Sequence, residues 1–132
     1  MACEKSYISL TFDAKYLYAL LGHDYKNSLS DCQRYDYSKN TWEKMPNSSK
    51  ANYCAACFII NNYIYLIGGE HFPQMREKIK VGSQDKWEQF LISPTFTDDK
   101  IMYSKAVPLN SKEVFIAGSN GCYIMNEANN SL

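Results

Sequence analysis

The sequence predicts an all-β protein built from repeats of short antiparallel strands. Three stretches carry the same order of aromatic, aliphatic and glycine residues, and the intervals between them are 47 and 50 residues: 16–22, 63–69 and 113–119. The two tryptophans, Trp42 and Trp87, lie 45 residues apart, and each follows such a stretch at a similar interval. A fixed period of this length indicates stacked supersecondary units. No segment shows a convincing helical period.

Composition and charge restrict the class of protein. Hydrophobic residues make up 45% of the 132 residues, which is enough for a core, and we treat 1–132 as a single repeat region. Fourteen basic and fourteen acidic residues balance, so no basic surface favours nucleic acid or an anionic membrane. No apolar run approaches the roughly 18 residues of a membrane span, and residues 1–10 lack the pattern of a signal peptide. Five cysteines without dense spacing fit a reducing compartment, which predicts a cytoplasmic chain.

The first repeat, about residues 6–45, divides into four strands. They are predicted at 6–12, 16–21, 31–37 and 41–45, with turns at 13–15 and 38–40. The second strand is apolar on both faces, so we expect it to be buried on both. Residues 22–30 have turn composition and no periodicity, which predicts a long surface loop between the second and third strands.

The second repeat, about residues 53–92, and a partial third, about 101–126, follow the same scheme. Strands are predicted at 53–60, 63–67, 75–81 and 86–92, then at 101–109, 112–117 and 121–126, eleven in all with the first repeat. The Asn61-Asn62 pair tolerates positive φ and predicts a tight hairpin. Longer loops are expected at 68–74 and 93–100.

Four short antiparallel strands in each repeat are typical of a β-propeller blade. The sequence also resembles the kelch repeat, and the resemblance extends over nearly the whole chain. It is carried by Gly68-Gly69, by Tyr35-Asp36, by Asn40-Thr41-Trp42, and by Met45-Pro46 before Lys50. The resemblance implies kelch-type blades, about two full ones and a partial third. A closed propeller needs roughly four to eight blades, so this chain alone would leave the arc open, to be completed by self-association or by a longer chain.

Repeated glycines and aromatics are expected to have structural roles. The glycines end the second strand of each repeat, where positive φ or close backbone approach is needed. The large aromatics are expected to be buried between neighbouring blades, with exposed binding aromatics as the alternative. These structural residues are Gly22, Gly68, Gly69 and Gly118, and Tyr35, Trp42 and Trp87.

Two residue sets invite a metal or redox hypothesis. Cys54 and Cys57 have the spacing of a redox or zinc motif, but they fall in a predicted strand, where residues three apart point to opposite faces. We interpret both as small buried hydrophobes. His23 and His71 occupy equivalent loops, and some kelch-type propellers are copper-dependent sugar oxidases, yet solvated loop histidines are the preferred interpretation. No catalytic residue, metal site or cofactor is predicted.

The predicted binding surface lies at one end of the blades. The loops after the second and fourth strands emerge there, and recognition residues concentrate on such loops. The residues expected to bind a protein partner are His23, Tyr25, Lys26, Lys50, His71, Phe72 and Arg76. The kelch resemblance implies a non-catalytic protein-interaction module, such as a scaffold, a cytoskeletal protein or a substrate adaptor of a ubiquitin ligase. The alternatives are a sugar-modifying enzyme, either a copper-dependent oxidase or an isomerase, and an inactive propeller fragment.

Overall fold

A computed structural model describes residues 4–90, 103–119 and 121–126, and there the chain is all-β. Its strands are β1 (Ser9–Phe12), β2 (Tyr16–His23), β3 (Ser28–Asp36), β4 (Thr41–Lys44), β5 (Ala56–Ile60), β6 (Tyr63–Ile67), β7 (Arg76–Lys80), β8 (Glu88–Gln89), β9 (Lys105–Pro108), β10 (Glu113–Gly118) and β11 (Gly121–Asn126). No helix in the described part of the chain is long and apolar enough to cross a membrane.

The described strands form three antiparallel sheets in which neighbours in sequence are neighbours in space. The first sheet has the order β1-β2-β3-β4, the second β5-β6-β7-β8, and the third β9-β10-β11. The first strands of consecutive sheets adjoin, since the Cys54 amide donates to the Tyr7 carbonyl at 3.2 Å and the Ser104 amide donates to the Cys54 carbonyl at 3.3 Å. The sheets therefore stack in sequence around the side that carries β1, β5 and β9, as consecutive blades of a propeller do. No closed sheet is present among these residues.

The tight turns between first and second strands follow the local sequence. Asn61 and Asn62 have φ of 48° and 66°, the left-handed values that a two-residue hairpin turn requires and that asparagine tolerates. In the first sheet the Asp13 carboxylate accepts the amides of Lys15 and Tyr16 at 2.8 and 2.7 Å. Asn110 accepts two amides in the same way in the third sheet. These side-chain acceptors add to the backbone hydrogen bonds of the same turns, such as that from the Asp13 amide to the Tyr16 carbonyl at 2.9 Å.

The prediction of a long loop at residues 22–30 is wrong. β2 continues to His23 and β3 begins at Ser28, so only residues 24–27 connect them. The register shifts between Leu20 and Gly22, where Leu21 has φ of 61° and Gly22 has φ of 125°. This bulge lets the strands pair again beyond it, and the Asp24 carboxylate then accepts the amides of Lys26 and Asn27. The turn composition was therefore that of a bulge and a tight turn.

Other strand boundaries also differ from the prediction. Of the strand expected at 86–92, the described residues 86–90 form only β8, and the strand expected at 6–12 is reduced to β1. Cys54 precedes β5 with φ of 58°, so it does not share a strand with Cys57 as expected. The loop predicted at 93–100 lies outside the described residues.

The first hydrophobic core lies between the first and second sheets. Its buried side chains are Tyr16, Tyr18, Leu20, Leu21, Cys32, Met45, Ala55, Cys57, Ile64, Leu66, Met75, Ile79 and Trp87. Trp87 is only 4% exposed, and its indole N–H donates to the Pro46 carbonyl of the first sheet at 2.9 Å. Burial of a large aromatic with its polar atom satisfied is a strong anchor between two layers.

The second hydrophobic core lies between the second and third sheets. Its buried side chains are Ala56, Phe58, Ile60, Tyr65, Ile67, Val114, Ile116 and Met125. Phe58 stacks on Tyr65 with ring centroids 4.9 Å apart. The two faces of β6 therefore belong to different cores. Ile64 and Leu66 pack against the first sheet, whereas Tyr65 and Ile67 pack against the third. This arrangement explains why β6 is apolar at every position.

The expectation that Trp42 is buried between blades is wrong for this structure. Trp42 is 37% exposed, although it pairs with Tyr35 and their rings lie 5.3 Å apart. Trp42 lies on the face of the first sheet that points away from the second, and no other described sheet covers that face. Tryptophan at this repeat position is buried only where a preceding sheet exists, as it does for Trp87.

Candidate protein-interaction site

One end of the sheets gathers the connections between strands two and three and between strands four and five. In the described residues these are the 24–27 turn, the 45–55 connection and the 68–75 loop. Residues that precede β1, β5 and β9 lie at the same end because the strands are antiparallel. We call this surface the loop end.

The buried side chain of Asn52 holds the loop end together. Its amide nitrogen donates to the carbonyls of Gly68 and Phe72 at 2.8 and 3.0 Å, and its amide oxygen accepts the amides of His71 and Phe72 at 3.1 and 3.0 Å. Its backbone bonds to Leu29 and Gly22 of the first sheet. One asparagine therefore fixes the 68–72 loop relative to two sheets. Sequence reasoning missed Asn52, since it stands alone in a polar connection.

Glycine is required beside Asn52. Gly69 has φ of 129°, and a Cβ at this position would overlap the Asn52 side chain. At the equivalent position of the first sheet, Gly22 has φ of 125° and lies under the Ser6 carbonyl, 3.1 Å from where a Cβ would be. The glycines that end the second strands thus permit close approach at the loop end.

Two of the predicted binding residues line one cavity. His23 and Tyr25 border a cavity of about 410 Å³ together with Glu4, Lys5, Ser6 and Asp24. Tyr25 is 98% exposed at the tip of the 24–27 turn. Backbone hydrogen bonds from Lys26 and Asn27 hold the pKa of Asp24 below its usual value. The turn that presents Tyr25 is therefore organised by an ionised carboxylate.

Three more predicted residues line a second cavity of about 200 Å³. Lys50, Phe72 and Arg76 border it, and the Lys50 ammonium lies 5.5 Å from the centre of the Phe72 ring. Phe72 also packs against the first core. The Arg76 guanidinium donates to the Met75 carbonyl at 2.7 Å and so supports the loop. Phe72 and Arg76 are partly structural, which distinguishes them from Tyr25.

His71 links the 68–75 loop to the first sheet. Its Nδ1 lies 2.5 Å from the Ser28 hydroxyl of the first sheet.

The 45–55 connection is also bonded to the second sheet. The Ser48 hydroxyl donates to the buried carboxylate of Glu77, and the Ser49 amide donates to the same carboxylate at 3.1 Å. Hydrogen bonds between the connections and the two sheets thus hold the backbone that carries the predicted residues of the loop end.

Three tyrosines at the loop end were not predicted as binding residues. Tyr7, Tyr53 and Tyr103 precede β1, β5 and β9, and Tyr53 contacts both Tyr7 and His23, with centroids 5.8 and 5.1 Å apart. Tyr7, Cys54 and Tyr103 have φ of 54°, 58° and 46° at the same offset before their strands. Left-handed non-glycine residues are uncommon and cluster at functional sites. Tyr7 and Tyr103 occupy this position, whereas Tyr53 lies one residue earlier, next to Cys54.

A third cavity lies beside the residues that precede β1, β5 and β9. Tyr7, Cys54, Tyr103, Ser104 and Lys105 border, with Ile8, a cavity of about 210 Å³. The Ser104 hydroxyl is buried and has no hydrogen-bond partner among the described residues. The Glu70 carboxylate raises the pKa of Tyr103, and burial followed by Glu70 raises the pKa of Tyr53. The cavity therefore combines two phenols, a hydroxyl and a lysine, which suits hydrogen bonding to a polypeptide.

The cysteine and histidine pairs are not gathered into a larger set. Across 4–90, 103–119 and 121–126, no group of three or more His, Cys, Asp or Glu residues could hold a metal ion. The four described cysteines are free, and burial raises the pKa of Cys57 to about 12. Cys57 is therefore a protonated core side chain at neutral pH.

Comparison with known protein families agrees with this architecture. Residues 5–49 match the family described as the Kelch motif, and this segment spans the first four-stranded sheet. No curated protein sequence gives a significant match to the chain. Kelch motifs generally mediate protein–protein interactions. The first sheet therefore carries a Kelch motif, and the second sheet has the same strand order, an architecture consistent with partial kelch blades.

Proposed function

We propose that this chain is a non-catalytic protein-interaction module that binds a protein partner at the loop end. The observation that carries the proposal is the presentation of solvent-exposed tyrosines on a braced backbone. Tyr25, Tyr7 and Tyr103 are all exposed at the loop end. At the same end, Gly69 and the Asn52 side chain are in close contact. Rigid aromatic side chains give large contact area at small cost in conformational entropy.

The charge pattern supports a polypeptide partner. Glu4 and Lys5 line the first cavity of the loop end, Lys50 and Glu77 line the second, and Lys105 lines the third, so the surface offers charges of both signs. The chain has no formal net charge. A mixed surface suits a polar rim around aromatic anchors better than it suits a phosphate backbone. We place the module in the cytoplasm, consistent with its free cysteines. There it would serve as a scaffold, a cytoskeletal protein or a substrate adaptor.

Alanine substitution of the exposed tyrosines tests the proposal. Partners captured from cell extract with the wild-type chain are identified, and their dissociation constants are measured with purified proteins. Tyr25→Ala combined with Tyr103→Ala should weaken binding by about tenfold or more, because aromatic anchors dominate interface energies. Both variants should keep the wild-type denaturation midpoint, since both side chains are largely exposed.

Tyr37→Ala is the matched control. Tyr37 is an exposed tyrosine in the turn after β3, at the opposite end of the sheets. Its loss should leave partner affinity unchanged. Binding that is abolished by Tyr37→Ala and retained by the double variant would place the interface at the wrong end and overturn the proposal.

A further inference from the structure

Equivalent positions before the first strands of the three sheets carry side chains of different size. Tyr7, Cys54 and Tyr103 lie two residues before β1, β5 and β9, and all three have a left-handed φ. The Cys54 amide donates to the Tyr7 carbonyl, and the Cys54 carbonyl accepts the Ser104 amide, so the cysteine lies between the two tyrosines. A thiol takes the place of a phenol ring at the middle position, which leaves space there.

The cavity of about 210 Å³ lies at this middle position. Its border consists of Tyr7, Ile8, Cys54, Tyr103, Ser104 and Lys105. An enclosed apolar cavity of about 150 Å³ holds a benzene molecule. The cavity beside Cys54 is therefore large enough for one aromatic ring with a polar substituent.

The two tyrosines that border the cavity are exposed, yet each has a neighbour that restrains it. Tyr7 is 61% exposed, and its ring centre lies 5.8 Å from that of Tyr53. Tyr103 is 55% exposed and lies near the Glu70 carboxylate, which raises the pKa of its phenol. Aromatic rings pack well against other aromatic rings, and walls that are already in place lower the entropic cost of binding. These walls favour a flat aromatic ligand.

One polar group at the cavity lacks a partner. Ser104 is 0% exposed, and its hydroxyl has no hydrogen-bond partner among the described residues. A buried polar group without a hydrogen bond is unfavourable, so a ligand that supplies the bond gains affinity. This favours a ring that carries a donor or acceptor over a purely apolar ring.

The charges near the cavity have opposite signs. Burial raises the pKa of the Cys54 thiol, the Lys105 ammonium lowers it, and the Glu70 carboxylate raises it again. The thiol between the two tyrosines is therefore close to one cation and one carboxylate. A charged ligand would be repelled by one of them, whereas an uncharged ligand is repelled by neither.

We propose that this cavity receives the side chain of a tyrosine from the protein partner, with the ring between Tyr7 and Tyr103 and the phenol hydrogen-bonded to Ser104. The ring fits the space beside Cys54, the hydroxyl supplies the missing hydrogen bond, and the side chain is uncharged at neutral pH. This inference rests on the proposed function, because a partner must bind at the loop end to present the tyrosine. It adds the residue type that the partner inserts.

Capped amino acids test the ligand chemistry without any partner protein. N-acetyl-tyrosinamide and the corresponding phenylalanine, aspartate and lysine amides are titrated separately into the isotope-labelled 132-residue chain, and amide chemical shifts are followed by NMR. The tyrosine probe should shift the amides of Ile8, Cys54 and Ser104 with a dissociation constant of about millimolar, as expected for so small a ligand. It should bind about fivefold more tightly than the phenylalanine probe, because it forms one more hydrogen bond.

Filling the cavity should abolish binding of the tyrosine probe. Cys54→Tyr introduces the residue that the first and third sheets carry at this position, where Tyr7 and Tyr103 have φ of 54° and 46°, close to the 58° of Cys54. Gln84→Tyr is the matched control, since it adds the same side chain in the exposed connection between β7 and β8. This control should bind the probe as wild type does.

A second variant tests the proposal even if Cys54→Tyr fails to fold. Ser104→Ala leaves the cavity open and removes the hydroxyl, so the tyrosine probe should bind about fivefold more weakly, at the level of the phenylalanine probe. The phenylalanine probe should bind both chains equally. Equal loss of both probes would show that Ser104 does not bond to the phenol and would overturn the proposal.

Three further outcomes of the titrations would also overturn it. These are tighter binding of either charged probe, the absence of saturable shifts with the tyrosine probe, and binding that persists in a folded Cys54→Tyr chain.

The captured partner separates this inference from the proposed function. Cys54→Tyr should weaken partner binding by about tenfold or more. A partner that is lost on combining Tyr25→Ala with Tyr103→Ala, but binds folded Cys54→Tyr normally, would overturn the inserted tyrosine and leave the proposed function intact. Selective binding of the tyrosine probe without capture of any partner would support the ligand chemistry of the cavity and count against the proposed function.

Discussion

Gly69 approaches the side chain of Asn52 so closely that no side-chain carbon fits between them. Asn52 is buried, and its amide group bonds to both ends of the 68–72 loop, so the contact joins the end of β6 to the connection between the first two sheets. The orientation of the loop end depends on this pair of residues.

The first prediction concerns that contact. Gly69→Ala should lower the free energy of unfolding by about 2 to 4 kcal/mol, because a residue held at an unfavourable φ costs about 1–3 kcal/mol and the Asn52 hydrogen bonds must also shift. Urea denaturation measures the loss. Gly82→Ala is the control, since Gly82 has φ of 85° and no atom near its missing Cβ. Equal losses in the two variants would show that the Asn52 contact contributes nothing.

The second prediction separates the two tryptophans. Trp87→Ala should lower the free energy of unfolding by about 3 to 5 kcal/mol, the range for deleting a buried large aromatic. Trp42→Ala should cost about 1 kcal/mol, because its face is uncovered in the single chain. Urea denaturation of the two single variants measures both losses. If Trp42→Ala lowered the free energy of unfolding as much as Trp87→Ala, Trp42 could not lie on an uncovered face.

The third prediction concerns pH. Burial opposes ionisation of Asp31, but hydrogen bonds from Lys5, Gln33 and Lys44 outweigh it and hold its pKa below the usual value. A carboxylate with a lowered folded-state pKa stabilises the fold above its unfolded pKa of about 3.9 and loses that contribution as pH falls through the folded value.

Asp31→Asn should therefore be less stable than wild type near neutral pH, and the difference should shrink below about pH 4. Asp85→Asn, in the exposed turn before β8, is the matched control and should behave like wild type across the range. Free energies of unfolding measured at several pH values test this. A difference between wild type and Asp31→Asn that grew towards acid pH would have the wrong sign.

The fourth prediction concerns the thiols. Burial raises the pKa of Cys32 and Cys57 to about 12, whereas Cys122 is exposed. Iodoacetamide at about pH 8 should therefore label Cys122 in the native chain and reach Cys32 and Cys57 only after unfolding, since the thiolate is the reactive form. Peptide mass spectrometry assigns the sites, and Cys122→Ser removes the label at that position. Rapid native labelling of Cys57 would show that the first core opens readily.

The repeat and the fold class follow from the amino-acid sequence. The aromatic-aliphatic runs and their spacing specify strands, and Asn61-Asn62 specifies a hairpin, because such signals depend on local backbone preferences. The run at 63–67 indicated burial on both faces, and the structure shows it between two cores. The residue set at the loop end was partly predictable, since loop position alone selects Tyr25.

Contacts between distant segments determine which repeated residues are buried and what stabilises the loop end. Trp42 and Trp87 carry the same local signal, but their exposure depends on whether a sheet lies in front of them, which is a long-range fact. The role of Asn52 could not be predicted from the sequence, because its hydrogen-bond partners are 16 to 20 residues away along the chain. The long loop predicted at 22–30 became a bulge and a turn because strand pairing across Gly22 outweighs turn composition. Local propensity selects the elements, whereas burial and hydrogen bonding between distant segments select their surroundings.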